Sequence, residues 1–366
     1  MTLVCIIKNE TNLEEFIIHH RNLGVEYFYI YDNESSLPIS SRLNHYYFKK
    51  ICRVINWPGK VKQIDAYNHF LQNYGNQTEW MLILDGDEYM LPKKHENLID
   101  FVKEYEKFSA IAINWVNFGS SYHHLPQKGF VIENYNFCEK NIDGHVKSIS
   151  RPEDVETLYN PHFTILKKKT KYDGYCDSLK NKLIFDKENY YSNNAGVTNV
   201  IQVNHYWGKS YNDLLEKINR GRATVDSKRT LPYDYHSLFN HKIDTLIIDK
   251  FLPMLKRVYY AINSHPKIYK LLNKDLEEHF GDDLELYIKH LFDNGLSEKR
   301  YYSIKDLIPN FNSEIYQKNY KDLKKLNYMQ LTEHYLKSGM KENRICHILL
   351  TDLIPDFNRE IYRLNY

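Results

Sequence analysis

The chain is poor in cysteine, and no arrangement of its thiols would staple a fold. Cys5, Cys52, Cys138, Cys176 and Cys346 are scattered over 366 residues without a Cys-x-x-Cys pair, and five thiols cannot all be bridged within one chain. A zinc site and a disulfide framework are both disfavoured. Excess charge is lacking too: 49 basic side chains stand against 47 acidic ones, for a formal net charge of +2. No global field therefore argues for nucleic acid or a membrane surface as a partner. No apolar run reaches the roughly 18 residues of a membrane helix. Leu3-Val4-Cys5-Ile6-Ile7 follows no basic leader and is too short for a signal-peptide core. Together these absences lead us to expect a cytoplasmic chain in a reducing compartment, with no nucleic-acid partner and no membrane span. Aromatic residues, by contrast, are plentiful. With 32 tyrosines and 17 phenylalanines in a sequence that is 42% hydrophobic, the chain can bury a substantial core and is not disordered. Its bias to Lys, Asn, Tyr and Ile points to an AT-rich genome, bacterial or viral.

The most informative stretch is Trp80-Met81-Leu82-Ile83-Leu84-Asp85-Gly86-Asp87-Glu88-Tyr89. An uninterrupted apolar run suits a strand covered on both faces, and ligands in open α/β sheets gather where such strands end. Asp85 and Asp87 flank a glycine that permits a tight turn, so both carboxylates can approach one hard cation or the phosphates it carries. A solvated turn at the end of a core strand is the plainer explanation of the same triplet.

The N-terminal part alternates strand and helix signals. Leu3 to Ile7 reads as a strand. Thr11-Asn12-Leu13-Glu14 reads as a capping box opening a helix with Leu13, Phe16, Ile17 and Leu23 on one face, stopped by Gly24. Strands follow over Val25 to Tyr31 and Arg53 to Trp57, then a helix over Gln63 to Tyr74, the strand into Asp85, a helix over Asn97 to Phe108 and a strand over Ala110 to Phe118. This alternation implies a largely parallel, covered sheet of the nucleotide-binding kind. Its tips bring together Lys8-Asn9-Glu10, Asp32-Asn33 and Asp85-Gly86-Asp87. Ser120 to Asn204 mixes short strand-like runs with Gly, Pro, Asn and Asp, as an acceptor-binding region built on loops would.

Beyond residue 250 the character changes. Asp306-Leu307-Ile308-Pro309-Asn310-Phe311 returns 46 residues later as Asp352-Leu353-Ile354-Pro355-Asp356-Phe357. Asn294-Gly295 through Arg300 is echoed 44 residues later by Ser338-Gly339 through Arg344. Such repeats resemble small helical units that bury their faces on their neighbours. The expected organisation is a domain over 1–250 and an α-helical repeat region over 251–366, with a period of about 46 residues and the last copy incomplete. That copy either stops within a unit or forms a cap.

Residues 1–250 resemble the GT-A glycosyltransferases, most closely the family 92 and family 2-like group. The likeness is carried in order by Lys8-Asn9-Glu10, Tyr31-Asp32-Asn33-Glu34-Ser35-Ser36, Asp85-Gly86-Asp87-Glu88, Asn114-Trp115, Phe118-Gly119-Ser120-Ser121, His145 through Pro152, Asn204-His205-Tyr206-Trp207-Gly208-Lys209-Ser210 and Arg220-Gly221-Arg222. It implies an α/β fold with the Rossmann-like mixed sheet of the nucleotide-diphospho-sugar transferases, and a metal-dependent, inverting transfer of a hexose from a nucleotide sugar, a UDP-sugar first, to a hydroxyl of a glycan or other acceptor. The anionic leaving group calls for positive charge on the departing diphosphate. Mn²⁺ or Mg²⁺ would be held by Asp87, assisted by Asp85, with His205 completing the set and His162 as its competitor. Lys8, Asn9, Glu10, Asp32, Asn33, Asp85, Trp115, Lys147 and Lys209 are the expected nucleotide-sugar contacts. Arg151, Arg220 and Arg222 are further cations for the diphosphate. Lys209 has the strongest claim among the cations, because the helix opened by Ser210, with Leu214, Leu215 and Ile218 inward, presents an N-terminus that favours anions. The general base is expected among Asp177, Asp173 and Glu133, none of which stands in a motif. The histidine pairs His19-His20 and His123-His124 read as structural.

Two other classes share parts of this pattern. A metal-dependent nucleotidyltransferase would show a Gly-rich basic loop after the first strand, where this chain has Lys8-Asn9-Glu10-Thr11-Asn12. A glycosidase needs carboxylates on opposite sides of the sugar, at about 5 Å or more, rather than in one turn. From a different class, a catalytically silent carbohydrate-binding or scaffold protein could recruit a protein partner through the repeats.

Overall fold

The computed structural model describes residues 1–185, 196–221 and 238–347. The chain divides into two compact units, Met1–Tyr259 and Tyr260–Tyr366. In the first, β1 (Thr2–Ile7), α1 (Leu13–Asn22), β2 (Tyr27–Asp32), β3 (Cys52–Asn56), α2 (Gln63–Tyr74) and β4 (Met81–Ile83) follow in order. The strands lie side by side as β3-β2-β1-β4, all parallel, with Ile7 opposite Asp32 and Asp32 opposite Asn56. One consequence is that the loops after β1, β2, β3 and β4 all leave the same edge of the sheet. The α2 helix covers one face through Ala66, Tyr67 and Phe70, which pack with Val4, Ile6, Tyr29, Tyr31, Met81 and Ile83.

The rest of the sheet departs from the parallel expectation. After β5 (Glu88–Pro92) and β6 (Ala110–Asn117), strand β7 (Val146–Ser150) inserts between β4 and β6, antiparallel to both. The cause is the loop from Phe118 to His145, which reverses the chain so that β7 re-enters the sheet from the opposite end. Its sequence, Val-Lys-Ser-Ile-Ser, hides a fully buried strand behind polar residues. Strand β8 (Ile201–His205) then pairs antiparallel with β5 and parallel with β6, bringing His205 opposite Glu88 and Asn117. The sheet as a whole is mixed. The expected loop region 120–204 contains several short strands in its described part, among them Val155–Leu158 and Thr164–Leu166. Helix α3 (Leu98–Lys103) is shorter than expected and is capped by Asn97, which accepts from Asp100 N at 2.8 Å.

The capping box expected at Thr11 is not formed. Asn12 occupies the cap position without a side-chain cap bond, because its Oδ1 accepts from Lys209 Nζ at 3.1 Å, and Glu14 turns away to Arg42. Helix α4 (Tyr211–Arg220) does carry a capping box, made by Ser210 and Asp213. Of its expected inner residues only Leu214 is buried. Helix α5 (Leu246–Ile262) runs through the boundary expected at residue 250. Among the described residues, no helix is long and apolar enough to cross a membrane.

The second unit is built of short helices in two cores, one around Tyr269, Tyr287 and Leu291, the other around Tyr316, Leu331 and Tyr335. Helices Leu284–His290 and Tyr328–His334 each widen at their C-termini into a π turn, closed by Leu296 N on Leu291 O and by Met340 N on Tyr335 O, both at 2.9 Å. Each carries a tyrosine–histidine bond, Tyr269 Oη to His290 Nδ1 at 2.9 Å and Tyr316 Oη to His334 Nδ1 at 2.8 Å. The arginine of each echo reaches an aspartate at 2.7 Å, Arg300 to Asp275 and Arg344 to Asp322. The copy at 352–362 lies outside the described residues.

Gly295 and Gly339 are required by the π turns, since a Cβ at either would fall well inside contact distance of the tyrosine hydroxyl. Gly339→Ala should therefore lower the unfolding free energy by about 1–3 kcal/mol through overpacking. Urea denaturation reads the loss, and Tyr316→Phe in the same chain should recover part of it by removing the oxygen that the new methyl meets. A Gly339→Ala chain as stable as the wild type would contradict this packing.

Candidate functional site

The strand tips open onto a cavity of about 510 Å³ lined by Lys8, Glu10, Asn33, Asp85, Asp87, Trp115, Asn117, Asp143, His145, His162, His205, Lys217 and Arg220, among others. The Asp-Gly-Asp turn can lie this close to β1 because Gly86 has no side chain: a Cβ there would be 2.7 Å from Ile7 Cδ1 and 3.1 Å from Glu10 Cγ.

Asp85 is held from two sides, by Gln63 Nε2 at 2.6 Å and Lys147 Nζ at 2.9 Å. Lys147, wholly buried on β7, also contacts Glu88 Oε2 at 3.0 Å, and that oxygen accepts from the Asp85 backbone N–H at 2.8 Å. Burial raises the pKa of Asp85, but the Lys147 charge outweighs it and the net direction is down. Glu88 goes the other way, up to about 8, because it is buried beside two other carboxylates and Lys147 only partly compensates. Its Oε1 has no hydrogen-bond partner among the described residues. A protonated Glu88 fits this setting, since Lys147 is shared with Asp85.

Asp87 is paired with Lys217, which also donates to Trp207 O at 2.6 Å, and its Oδ2 lies 3.9 Å from His205 Nε2. Despite its burial, Lys217 and His205 hold the Asp87 carboxyl well below the usual range. The protonation of His205 follows from its partners. Asn117 Nδ2 faces the Asp143 carboxylate at 2.9 Å, so Asn117 Oδ1 must be the atom that meets His205 Nδ1, also at 2.9 Å. His205 Nδ1 therefore carries the hydrogen, and the lone pair of Nε2 faces Asp87. Burial pushes this imidazole down to about 3, so it is neutral at physiological pH.

Two acceptors facing one another across 3.9 Å call for a cation between them. The Lys217 ammonium answers part of that need. A divalent ion about 2.1 Å from each atom would also fit, and the Asn117 bond supplies the outer support that metal-binding histidines use. Among the described residues, no group of three or more His, Cys, Asp or Glu side chains is placed to hold a metal. An ion here would thus need oxygens from a bound phosphate to complete its shell, as magnesium sites commonly do.

A second cavity, about 290 Å³, shares Glu10, Asp87, Trp207, Lys217 and Arg220 with the first and is also lined by Asn9 and Lys209, among others. Lys209 Nζ is 2.5 Å from Glu10 Oε1. The Lys209 backbone is left-handed, φ 54°, a strained setting that directs the side chain back from the cap of α4.

Other expected site residues have structural work. Asp32 is buried, does not line the cavity, and accepts from Ser35 N at 3.0 Å and Ile39 N at 2.9 Å, closing the turn after β2. Asn33 reaches the wall but gives its amide to Trp57 O and Gly59 O, both at 2.8 Å. Asn9 accepts from Ser36 N at 2.8 Å, and Lys8 stands 3.8 Å from Glu34. Arg151 is stacked on Trp80 and Tyr172 and paired with Glu79, away from the cavity; Arg222 lies outside the described residues. His19 and His20 are buried against the Met90 backbone. The three carboxylates expected to include the base do not line either cavity. Asp177 holds a turn through Leu179 N and Asn181 N, Asp173 is exposed near Lys182, and Glu133 pairs with Lys256.

Lys217, Asn117 and Asp143 were not singled out in the sequence, and Glu88 and His145 stood only within the motifs that carry the family likeness, with no role of their own. Lys217 had a signal: it follows the buried Leu214 by three residues and so shares its face of α4.

A sheet of this order, with charged groups gathered outside its strand ends, is that of an α/β protein, a class in which ligands gather at the strand tips. The sequence model of glycosyltransferase family 92 matches residues 4–224. A glycosyltransferase family 92 protein of Ricinus communis is 26% identical over 235 residues, 61% of this chain and 38% of that protein. One from Oryza sativa subsp. japonica is 28% identical over 181 residues, 47% of this chain and 30% of that protein. The chain belongs to glycosyltransferase family 92, and it spans about a third of the length of these curated relatives. Among solved structures, HddC from Yersinia pseudotuberculosis is similar at 10% identity and a TM-score of 0.31, over 48% of this chain and 88% of that one, a likeness too slight to speak about activity.

The raised Glu88 pKa has a measurable consequence. A carboxyl whose pKa rises from 4.5 unfolded to about 8 folded stabilises the fold below pH 4.5 and loses that contribution as pH climbs to 8. Relative to Glu88→Gln, the wild type should thus lose on the order of a few kcal/mol over that window. Chemical denaturation at a series of pH values reads it, and parallel stability profiles for the two proteins would refute it.

Proposed function

We propose that this chain is a GT-A-type glycosyltransferase, dependent on Mn²⁺ or Mg²⁺, that moves a hexose from a nucleotide sugar, a UDP-sugar first, to a hydroxyl of a glycan or other acceptor with inversion. The observation that carries the reading is the facing pair of Asp87 Oδ2 and His205 Nε2, 3.9 Å apart at the cavity wall, with the cations Lys8, Lys217 and Arg220 around them. Family membership supports it. Breaking the anomeric bond leaves an anionic diphosphate, and a divalent ion at Asp87 and His205 would supply Lewis-acid charge there. The chain's own residues do the rest. Lys217 is placed to exchange Asp87 for a phosphate oxygen. Lys147 and Gln63 fix Asp85 at the tip of β4, where it can meet donor hydroxyls. Trp115 offers an aromatic wall for a sugar. Lys8 and Glu10, at the tip of β1, flank the space for the nucleoside.

The region 251–366 is proposed to be a helical repeat region that binds an acceptor or a protein partner; the matched tyrosine–histidine bonds and π turns support the repeat reading. The proposed compartment is the cytoplasm.

The test is a panel of UDP- and GDP-sugars with Mn²⁺, following nucleotide release, beside Asp87→Ala and an EDTA control. One donor should be turned over, with release falling at least about 100-fold in both controls. Nucleotide binding without release from any donor would favour a carbohydrate-binding or scaffold protein.

A further inference from the structure

The cavity holds a second constellation that none of the expected site residues used. Asp143 Oδ1 accepts from the His145 backbone N–H at 2.7 Å and faces His145 Nδ1 at 2.6 Å, while Asp143 Oδ2 takes the Asn117 amide at 2.9 Å. A carboxylate with three donors on it cannot turn. Because it only accepts, Nδ1 of His145 carries the hydrogen and Nε2 is the basic nitrogen of the ring. The imidazole is stacked on Trp115, centroids 4.9 Å apart and planes 22° apart, and the same indole touches His205 at 4.2 Å. His145 thus stands one indole away from the residue that faces Asp87. Both His145 and Asp143 line the cavity and keep a quarter or more of their side-chain surface exposed, at 29% and 25%.

We infer that His145, oriented by Asp143, is the general base that takes the proton from the acceptor hydroxyl. Of the carboxylates on the cavity wall, Asp85 and Asp87 are paired with lysines, Glu10 with Lys209, and Glu34 faces Lys8 at 3.8 Å. His162 also bonds through Nδ1, but to Val146 O at 3.3 Å, so a backbone carbonyl rather than a carboxylate orients its ring. The inference rests on the transferase reading and adds the residue that reading lacks. In the step, the acceptor oxygen bonds to the anomeric carbon as its proton passes to His145 Nε2. The bond from that carbon to the diphosphate oxygen breaks, and its electron pair leaves with the nucleoside diphosphate. Asp143 stabilises the imidazolium and is a positioning residue. Asn117, which bonds Asp143 and His205 together, fixes the base relative to the donor side of the site.

The experiment follows nucleotide release from the best donor of the panel, with water as acceptor, together with UDP or GDP affinity by calorimetry. His145→Ala should lower release by about 100- to 10,000-fold. Nucleotide affinity should stay within about 3-fold. Added imidazole should restore release in His145→Ala and leave Asp87→Ala inactive. The isosteric Asp143→Asn should slow release at least about 10-fold without imidazole rescue. Release by His145→Ala within about 3-fold of wild type would overturn the assignment. Loss of release that imidazole does not restore, or loss of nucleotide affinity along with it, would show a structural role and overturn it as well. If the wild type is as inactive as Asp87→Ala on every donor, the transferase reading itself fails and the base assignment falls with it, a result distinct from the loss of His145 alone.

Discussion

Charge compensation around three carboxylates controls this site. Asp85, Asp87 and Glu88 sit within four residues at the end of a fully buried strand, and their mutual repulsion in a poorly solvated place must be met by cations or protons. The structure meets it with Lys147 from β7 and Lys217 from α4, and the Glu88 carboxyl, buried beside the two aspartates, is pushed up to about 8. Each solution recruits a different part of the chain. The buried lysine requires a strand between β4 and β6, the second lysine requires a helix docked over the tips, and the raised Glu88 pKa requires a site closed to water. The ionic requirements of the turn are thereby tied to the mixed topology of the sheet.

The Asp87–Lys217 pair lines both cavities, and on the proposed reading a donor diphosphate would have to compete for that lysine. Breaking such a pair without replacement is costly, of order 3–5 kcal/mol, so the exchange is favourable only if the incoming phosphate, or an ion with it, takes over both partners. His205 is already prepared for this, neutral and with its tautomer fixed by Asn117. The same asparagine restrains Asp143, so one amide bears on two histidines that pack against Trp115. A single polar side chain at the end of β6 thereby sets the geometry between the two halves of the proposed reaction.

Much of this architecture is legible in sequence because it rests on apolar period and glycine. The β1, α2 and β4 elements and the meeting of their tips follow from buried runs and a helical spacing that the structure reproduces nearly residue for residue. What escaped has a common cause. Strand β7 reads as polar because Lys147 and its serines are buried for electrostatic and hydrogen-bonding reasons, which hydrophobic pattern does not register. Asp32 looked like a ligand contact but closes a turn, since a carboxylate after a strand serves either purpose equally well. Asp143 and His145 lie in a loop with no periodicity, and only the fold brings them to Asn117. Asp177, Asp173 and Glu133 were singled out by position in the chain, and position does not convert to proximity there.

On the proposed reading, Asp87 and His205 share a divalent ion for which Lys217 is the competing cation. Electron paramagnetic resonance titration of Mn²⁺ in the presence of UDP or GDP tests it directly, with wild type, Asp87→Asn, His205→Ala and Lys217→Met compared. Asp87→Asn and His205→Ala should each weaken Mn²⁺ binding by at least about 10-fold, while Lys217→Met should leave it intact or tighten it. Mn²⁺ affinity unchanged in both Asp87→Asn and His205→Ala would show that these residues do not hold the ion.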